Sequence, residues 1–199
     1  MNRTIWLIVA AVLAGLVAVW LVAFAQPYSF HGSLIEPPVT APPIELTRAD
    51  GSLYRLSDQQ GKVTLIFFGY TTCPDFCPAT MAEMKRVKAD LAAYTERLDV
   101  VFITVDPQRD TPERIQSYAA GFDPQFIGLS GSEEELSPIW KAYGVYRQIQ
   151  EGQTALGYLV DHSTRVYLID PRGNLRLTFS YGTSPKDIAA DIRQILKEN

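Results

Sequence analysis

Cys73 and Cys77 are the two cysteines of this chain, and three residues separate them in GYTTCPDFCPATM (69–81). A thioredoxin-type redox pair has two residues between its sulfurs, as does each half of most zinc knuckles. Three chemistries suit such a pair. It can close a structural disulfide, exchange with substrate disulfides as a redox dithiol, or offer two thiolates to a soft ion such as Cu(I). A ring this small removes little chain entropy, and a domain of this length folds without a bridge, so the reactive readings outrank the structural one. Each cysteine precedes a proline, which biases its backbone away from helical angles. Pro78 suits the first turn of a helix, so the spacing places Cys77 at the N-cap, where the helix end favours a thiolate.

The surrounding elements must position these sulfurs. KVTLIFFGY (62–70) is a continuous apolar run, as expected of a strand buried on both faces, and the cysteine loop follows it directly. ATMAEMKRVKADLAAYTERL continues the helix opened by Pro78, with Met81, Met84, Val87, Leu91 and Tyr94 on one face. DVVFITVD (99–106) is a second buried strand, and TPERIQSYAAGF a helix with Thr111 as N-cap and Pro112 in first position. FIGLSG reads as a short strand, 132–143 as a helix, and 164–182 as a hairpin turning at PRGN, before a last helix from Ser184–Pro185. A further hairpin turns at Asp50–Gly51. The order predicts an α/β fold: a thioredoxin-like central sheet flanked by helices, with an N-terminal β-hairpin. YRQIQEGQTALGY (146–158) lacks strong periodicity and reads as a flap beside the site.

The candidate third group is a histidine. Thioredoxin-type oxidoreductases place a cis-proline opposite their cysteines, just before the strand that here is TRVYLID. No proline occurs between Pro138 and Pro171, and the equivalent stretch, YLVDHSTRVYLID, puts His162 near that slot. An imidazole turned toward two sulfurs is a metal ligand. The other histidine, His31, falls in a proline-rich stretch and reads as a surface residue.

Thr4 to Ala25 contains no charged residue, follows Arg3, and is long enough as a helix to cross a bilayer core of roughly 30 Å. The next Lys or Arg is Arg48, so the positive-inside tendency keeps the N-terminus in the cytoplasm and exports the rest. A cleaved signal peptide ending at the AFA of 23–25 is the alternative, but its apolar core would be unusually long. The expected organisation is an anchor over 1–25, a proline-rich tether over 26–43 that stands the domain off the membrane, and the domain over 44–199. Of the 199 residues, 47% are hydrophobic and 20% charged, which suits one globular domain. The net charge of −4 and the lack of any Lys/Arg run argue against a nucleic-acid partner.

With GKVTLIFFGYTTCPDFCPATM, VFITVDPQRDTPERIQSYAAGF, GLSGS and YLVDHSTRVYLIDPRGNL in this order, the chain resembles the Sco (SenC) copper chaperones of cytochrome c oxidase assembly. The resemblance implies that Cys73, Cys77 and His162 bind one copper, as Cu(I) or Cu(II). It implies delivery to, or thiol reduction of, the CuA site of oxidase subunit II, with other copper chaperones or thiol reductases as further partners. It also implies a single-pass protein of the bacterial inner membrane, its domain on the periplasmic or outer side. Two thiolates and an imidazole make a near-trigonal set for Cu(I), whereas Cu(II) asks for a fourth ligand. Asp75, Asp106 and Asp161 are candidates for orienting the imidazole or the loop. Two other classes stay open. A membrane-anchored thiol–disulfide reductase would use Cys73 and Cys77 as its catalytic dithiol, and a peroxidase like the peroxiredoxins would draw on Arg165.

Overall fold

The computed structural model describes residues 2–24, 28–154 and 157–198. Five helices and ten strands are assigned among them: α1 Arg3–Phe24, β1 Ser33–Thr40, β2 Glu45–Thr47, β3 Leu53–Arg55, β4 Val63–Gly69, α2 Phe76–Leu91, β5 Leu98–Thr104, α3 Pro112–Phe122, β6 Ile127–Leu129, α4 Glu133–Ala142, β7 Arg147–Thr154, β8 Gly157–His162, β9 Val166–Ile169, β10 Asn174–Phe179 and α5 Pro185–Glu198.

The central sheet runs β1-β10-β9-β4-β5-β6. β4, β5 and β6 are parallel, and β9, β10 and β1 extend the other side in antiparallel pairs. All seven residues of β4 are buried, because helices cover both faces of the sheet there. Phe67 stacks on Phe102, which packs against Tyr118 of α3, while Phe68 points the other way onto Tyr143 at the end of α4. Burying one such aromatic ring contributes about 1.5–3 kcal/mol. β2 and β3 form the N-terminal hairpin. The α/β order and the thioredoxin-like sheet agree with the sequence reading.

Three elements differ from it. Residues 33–40, read as tether, form β1 and pair with β10, so the sheet takes in a strand that carries two prolines. An edge position tolerates missing N–H groups, and the ladder is irregular between Leu34 and Val39, where Pro37 and Pro38 stand. The stretch read as a flap, 146–158, instead contributes β7 and the start of β8, which pair antiparallel. The helix after the cysteines ends at Leu91, where Ala92 turns to a φ of +45°, and continues only as a 3-10 segment, Ala92–Arg97. α1 is one apolar helix with no charged residue after Arg3.

Candidate metal centre

Cys73 sits in the loop after β4 and Cys77 in the first turn of α2. Helix α2 starts at Phe76, one residue before Cys77, so Cys77 is not the N-cap, and Asp75, which is, makes no side-chain capping bond. The orphan donors of the helix start are met by sulfur instead: the Cys77 N–H donates to Cys73 Sγ at 3.4 Å. The order of acidities therefore reverses the sequence expectation. The Cys73 thiol is held well below its usual range, first by the hydrogen bond from the Cys77 thiol and then by the backbone N–H groups of Asp75 and Cys77. Complete burial pushes the Cys77 thiol up.

Gly69 makes room for Cys77. A Cβ there would stand 2.8 Å from the Cys77 sulfur and 2.7 Å from the Phe102 ring, so only glycine lets the helix start lie this close to the strand end.

His162 closes β8. Its Nε2 lies 3.5 Å from Cys77 Sγ, and its Nδ1 donates to the Ser163 carbonyl at 2.9 Å, which leaves the Nε2 lone pair facing the sulfurs. The ring packs edge-on against Tyr70 and Phe67. The donor atoms of Cys73, Cys77 and His162 all lie within 4.8 Å of one another. With metal–ligand bonds of roughly 2.0–2.3 Å, three donors this close can converge on a single ion. The set is two soft sulfurs and one imidazole, which suits copper or zinc and not a hard cation.

The acids proposed to orient this set do other work. Asp161 is exposed and accepts from Gln150 Nε2 across the hairpin at 2.7 Å. Asp75 is exposed at the start of α2. Asp106 is buried, but it binds the Arg109 guanidinium and the Tyr158 hydroxyl, not the imidazole. The imidazole's partner is the Ser163 carbonyl. Arg165 is exposed and donates to Thr178, so it does not face the sulfurs.

Two residues that sequence reasoning passed over shape the site. Asp110 is buried and accepts from the Thr71 N–H at 3.0 Å and from the Thr104 hydroxyl at 2.8 Å, tying the cysteine loop to the end of β5. Burial raises its pKa. Arg109 lies over the Tyr158 ring at 3.8 Å and donates to the Tyr158 carbonyl, which holds the β7–β8 hairpin, and with it His162, against the sheet. Both belong to DPQRDT (106–111), where a dense run of polar residues directly after a buried strand was the available signal. A cleft of about 550 Å³, lined by residues including Arg48, Lys62 and Asp99, lies at the opposite end of the sheet and holds neither cysteine nor histidine.

Residues 33–197 match the family model described as SCO1/SenC. The chain is 35% identical over 145 residues to an SCO2-like protein of Rickettsia felis, covering 72% of this chain and 71% of that one. It superposes on the structure of Bradyrhizobium japonicum ScoI with copper bound at a TM-score of 0.71 and 34% identity, covering 79% of this chain and 99% of that one. On apo Sco1 from Thermus thermophilus the TM-score is 0.76 at 35% identity, over 86% of this chain and 99% of the other. The family match runs through Cys73, Cys77 and His162 and through almost the whole domain, and on this ground the chain belongs to the SCO1/SenC family.

Proposed function

We propose that this protein is a membrane-anchored copper chaperone: it binds one copper through Cys73, Cys77 and His162 and delivers it to the CuA site of cytochrome c oxidase subunit II. The observation that carries the reading is the convergence of these three donors within 4.8 Å at the end of β4. The copper-bound state of a similar protein supports the choice of metal. Copper here is cargo. Two thiolates with one imidazole give Cu(I) a three-coordinate site of net charge −1, and Cu(II) would draw a further ligand. Cys73, beside the exposed loop, is the sulfur an acceptor's thiolate reaches first, and Cys77 stays at the base of the site. The apolar helix α1 is the membrane anchor, and the domain lies on the periplasmic or outer face of a bacterial inner membrane.

The Cys77 N–H bond to the Cys73 sulfur also favours a second reading, thiol–disulfide exchange. In that reaction the Cys73 thiolate attacks a partner disulfide and Cys77 resolves the mixed disulfide. Two electrons and two protons pass to the partner, and a Cys73–Cys77 bond is left behind. Reduction of the acceptor's own cysteines would prepare them for copper.

His162→Ala separates the two activities, because exchange needs no imidazole. Cells carrying only this variant should fail to assemble active oxidase at limiting copper, while the protein keeps a reducible Cys73–Cys77 disulfide. Full oxidase activity under those conditions would make thiol reduction the essential role.

A further inference from the structure

Three residues separate Phe24, the end of α1, from Tyr28. At about 3.3–3.6 Å per residue, the Cα atoms of Phe24 and Tyr28 stand no more than about 14 Å apart. Tyr28 adds nothing to that reach, because it is clasped to the domain. Its hydroxyl donates to Asp191 Oδ1 at 2.9 Å, and the same carboxylate takes the N–H groups of His31 and Gly32 and faces His31 Nδ1 at 2.9 Å. Asp191 is fully buried on α5, so these bonds are what keep its charge satisfied. The connection between anchor and domain is therefore a few residues long.

The sheet register fixes which end of the domain this connection enters. Ser33, directly after the clasp, pairs with Thr178; Phe179 pairs with Val166; and Val166 pairs with Phe67 of β4. Gly69, two residues on, touches Cys77. The opposite end is marked by the Thr40–Asn174 and Thr64–Ile169 pairs and by the turn at Gly173, to which Gly61 is hydrogen bonded through Pro171. β1, which follows the clasp directly, thus enters the sheet at the metal-centre end. Two exposed aromatic rings gather there, Phe76 and Tyr181, each 45% exposed and packed edge-on at 5.0 Å. Tyrosine and other amphipathic rings favour the headgroup region of a bilayer.

We propose that the metal-centre end of the domain rests on the phospholipid surface, with Phe76 and Tyr181 at headgroup level. This rests on the reading of α1 as a membrane span. The pose holds Cys73 near the membrane plane and turns the cleft beside Lys62 and Asp99 away from it.

The test uses the full chain in nanodiscs of phosphatidylcholine and phosphatidylglycerol doped with a headgroup-nitroxide lipid, with amide relaxation as the readout. Amides of Gly32, Phe76 and Tyr181 should broaden several-fold more than those of Gly51, Lys62 and Gly173. Inserting about ten Gly/Ser residues between Ala25 and Gln26 should flatten this gradient, since a flexible linker of that length frees the domain to tumble. Equal broadening at both ends, or a gradient reversed toward Lys62 and Gly173, would overturn the pose while leaving the anchor in place; a gradient that survives the insertion would uphold the pose and assign it to the rings instead of the short connection. A chain that an alkaline wash strips from the discs would overturn the anchor and the pose together.

Discussion

His162 Nε2 lies 3.5 Å from the sulfur of Cys77, 85 positions earlier in the chain. The contact joins two independently held parts. Cys77 is fixed by the start of α2 against Gly69, and His162 by the base of a hairpin that Arg109 clamps to the loop after β5. Each part is held by contacts within the protein itself, so the fold brings the donor set together.

Gly69 is where this arrangement is most easily broken. A Cβ there meets the Cys77 sulfur at 2.8 Å and the Phe102 ring at 2.7 Å, and a ring packed in the core gives way only with a shift of its neighbours. Gly69→Ala should destabilise the domain by about 1–3 kcal/mol and weaken copper binding by moving Cys77 out of line with His162. Denaturant unfolding and copper titration check the two effects. Wild-type values for both would mean the strand end and α2 are not closely packed.

The two sulfurs should differ in reactivity. In the reduced, metal-free protein, iodoacetamide should label Cys73 first, and its rate should hold as pH falls well below about 8.5, the ordinary thiol range. Cys77, raised by burial, should react only after unfolding. Peptide mapping after timed labelling reads this directly. Faster labelling of Cys77 would contradict this order of acidities.

The buried Asp191 carboxylate raises the His31 pKa above its ordinary value of 6.5, chiefly through their hydrogen bond. A histidine raised on folding adds stability that is fully present below the unfolded pKa and is lost as pH climbs through the folded one. The stability advantage of wild type over His31→Gln should therefore be largest below about pH 6.5 and fade above it. Thermal unfolding of both proteins across pH measures this. An advantage that grows with pH would contradict the clasp.

Much of the domain was legible in sequence because its signals are local. The apolar run at 62–70, the Thr111–Pro112 helix start and the Asp50–Gly51 turn each state their element directly. The order of those elements was enough to bring His162 toward the cysteines. What was missed depends on contacts distant in the chain. Pro37 and Pro38 argue against a strand, yet β1 forms because β10 offers an edge that tolerates missing donors. The β7–β8 hairpin has a polar, glycine-containing first strand and is held by Arg109, Tyr158 and Arg147, none of which signals a strand by itself. Cys77 lost the N-cap because the Cys73 sulfur caps the helix from a loop, a role that the helix-start rules give to oxygen. Asp110 went unnoticed because its partners, Thr71 and Thr104, come together only when β4 and β5 pair.

X-ray absorption at the copper edge, on the loaded domain and its His162→Ala variant, tests the central claim most directly. The wild-type protein should bind one copper, with two sulfur neighbours and one nitrogen neighbour. His162→Ala should lose the nitrogen, with a severe fall in Cu(II) affinity and a smaller one for Cu(I), which can remain two-coordinate between the sulfurs. Cys73→Ser or Cys77→Ser should abolish tight binding, since a hydroxyl is a hard ligand for a soft ion. A wild-type spectrum without sulfur neighbours, or one that His162→Ala leaves unchanged, would contradict the three-ligand site.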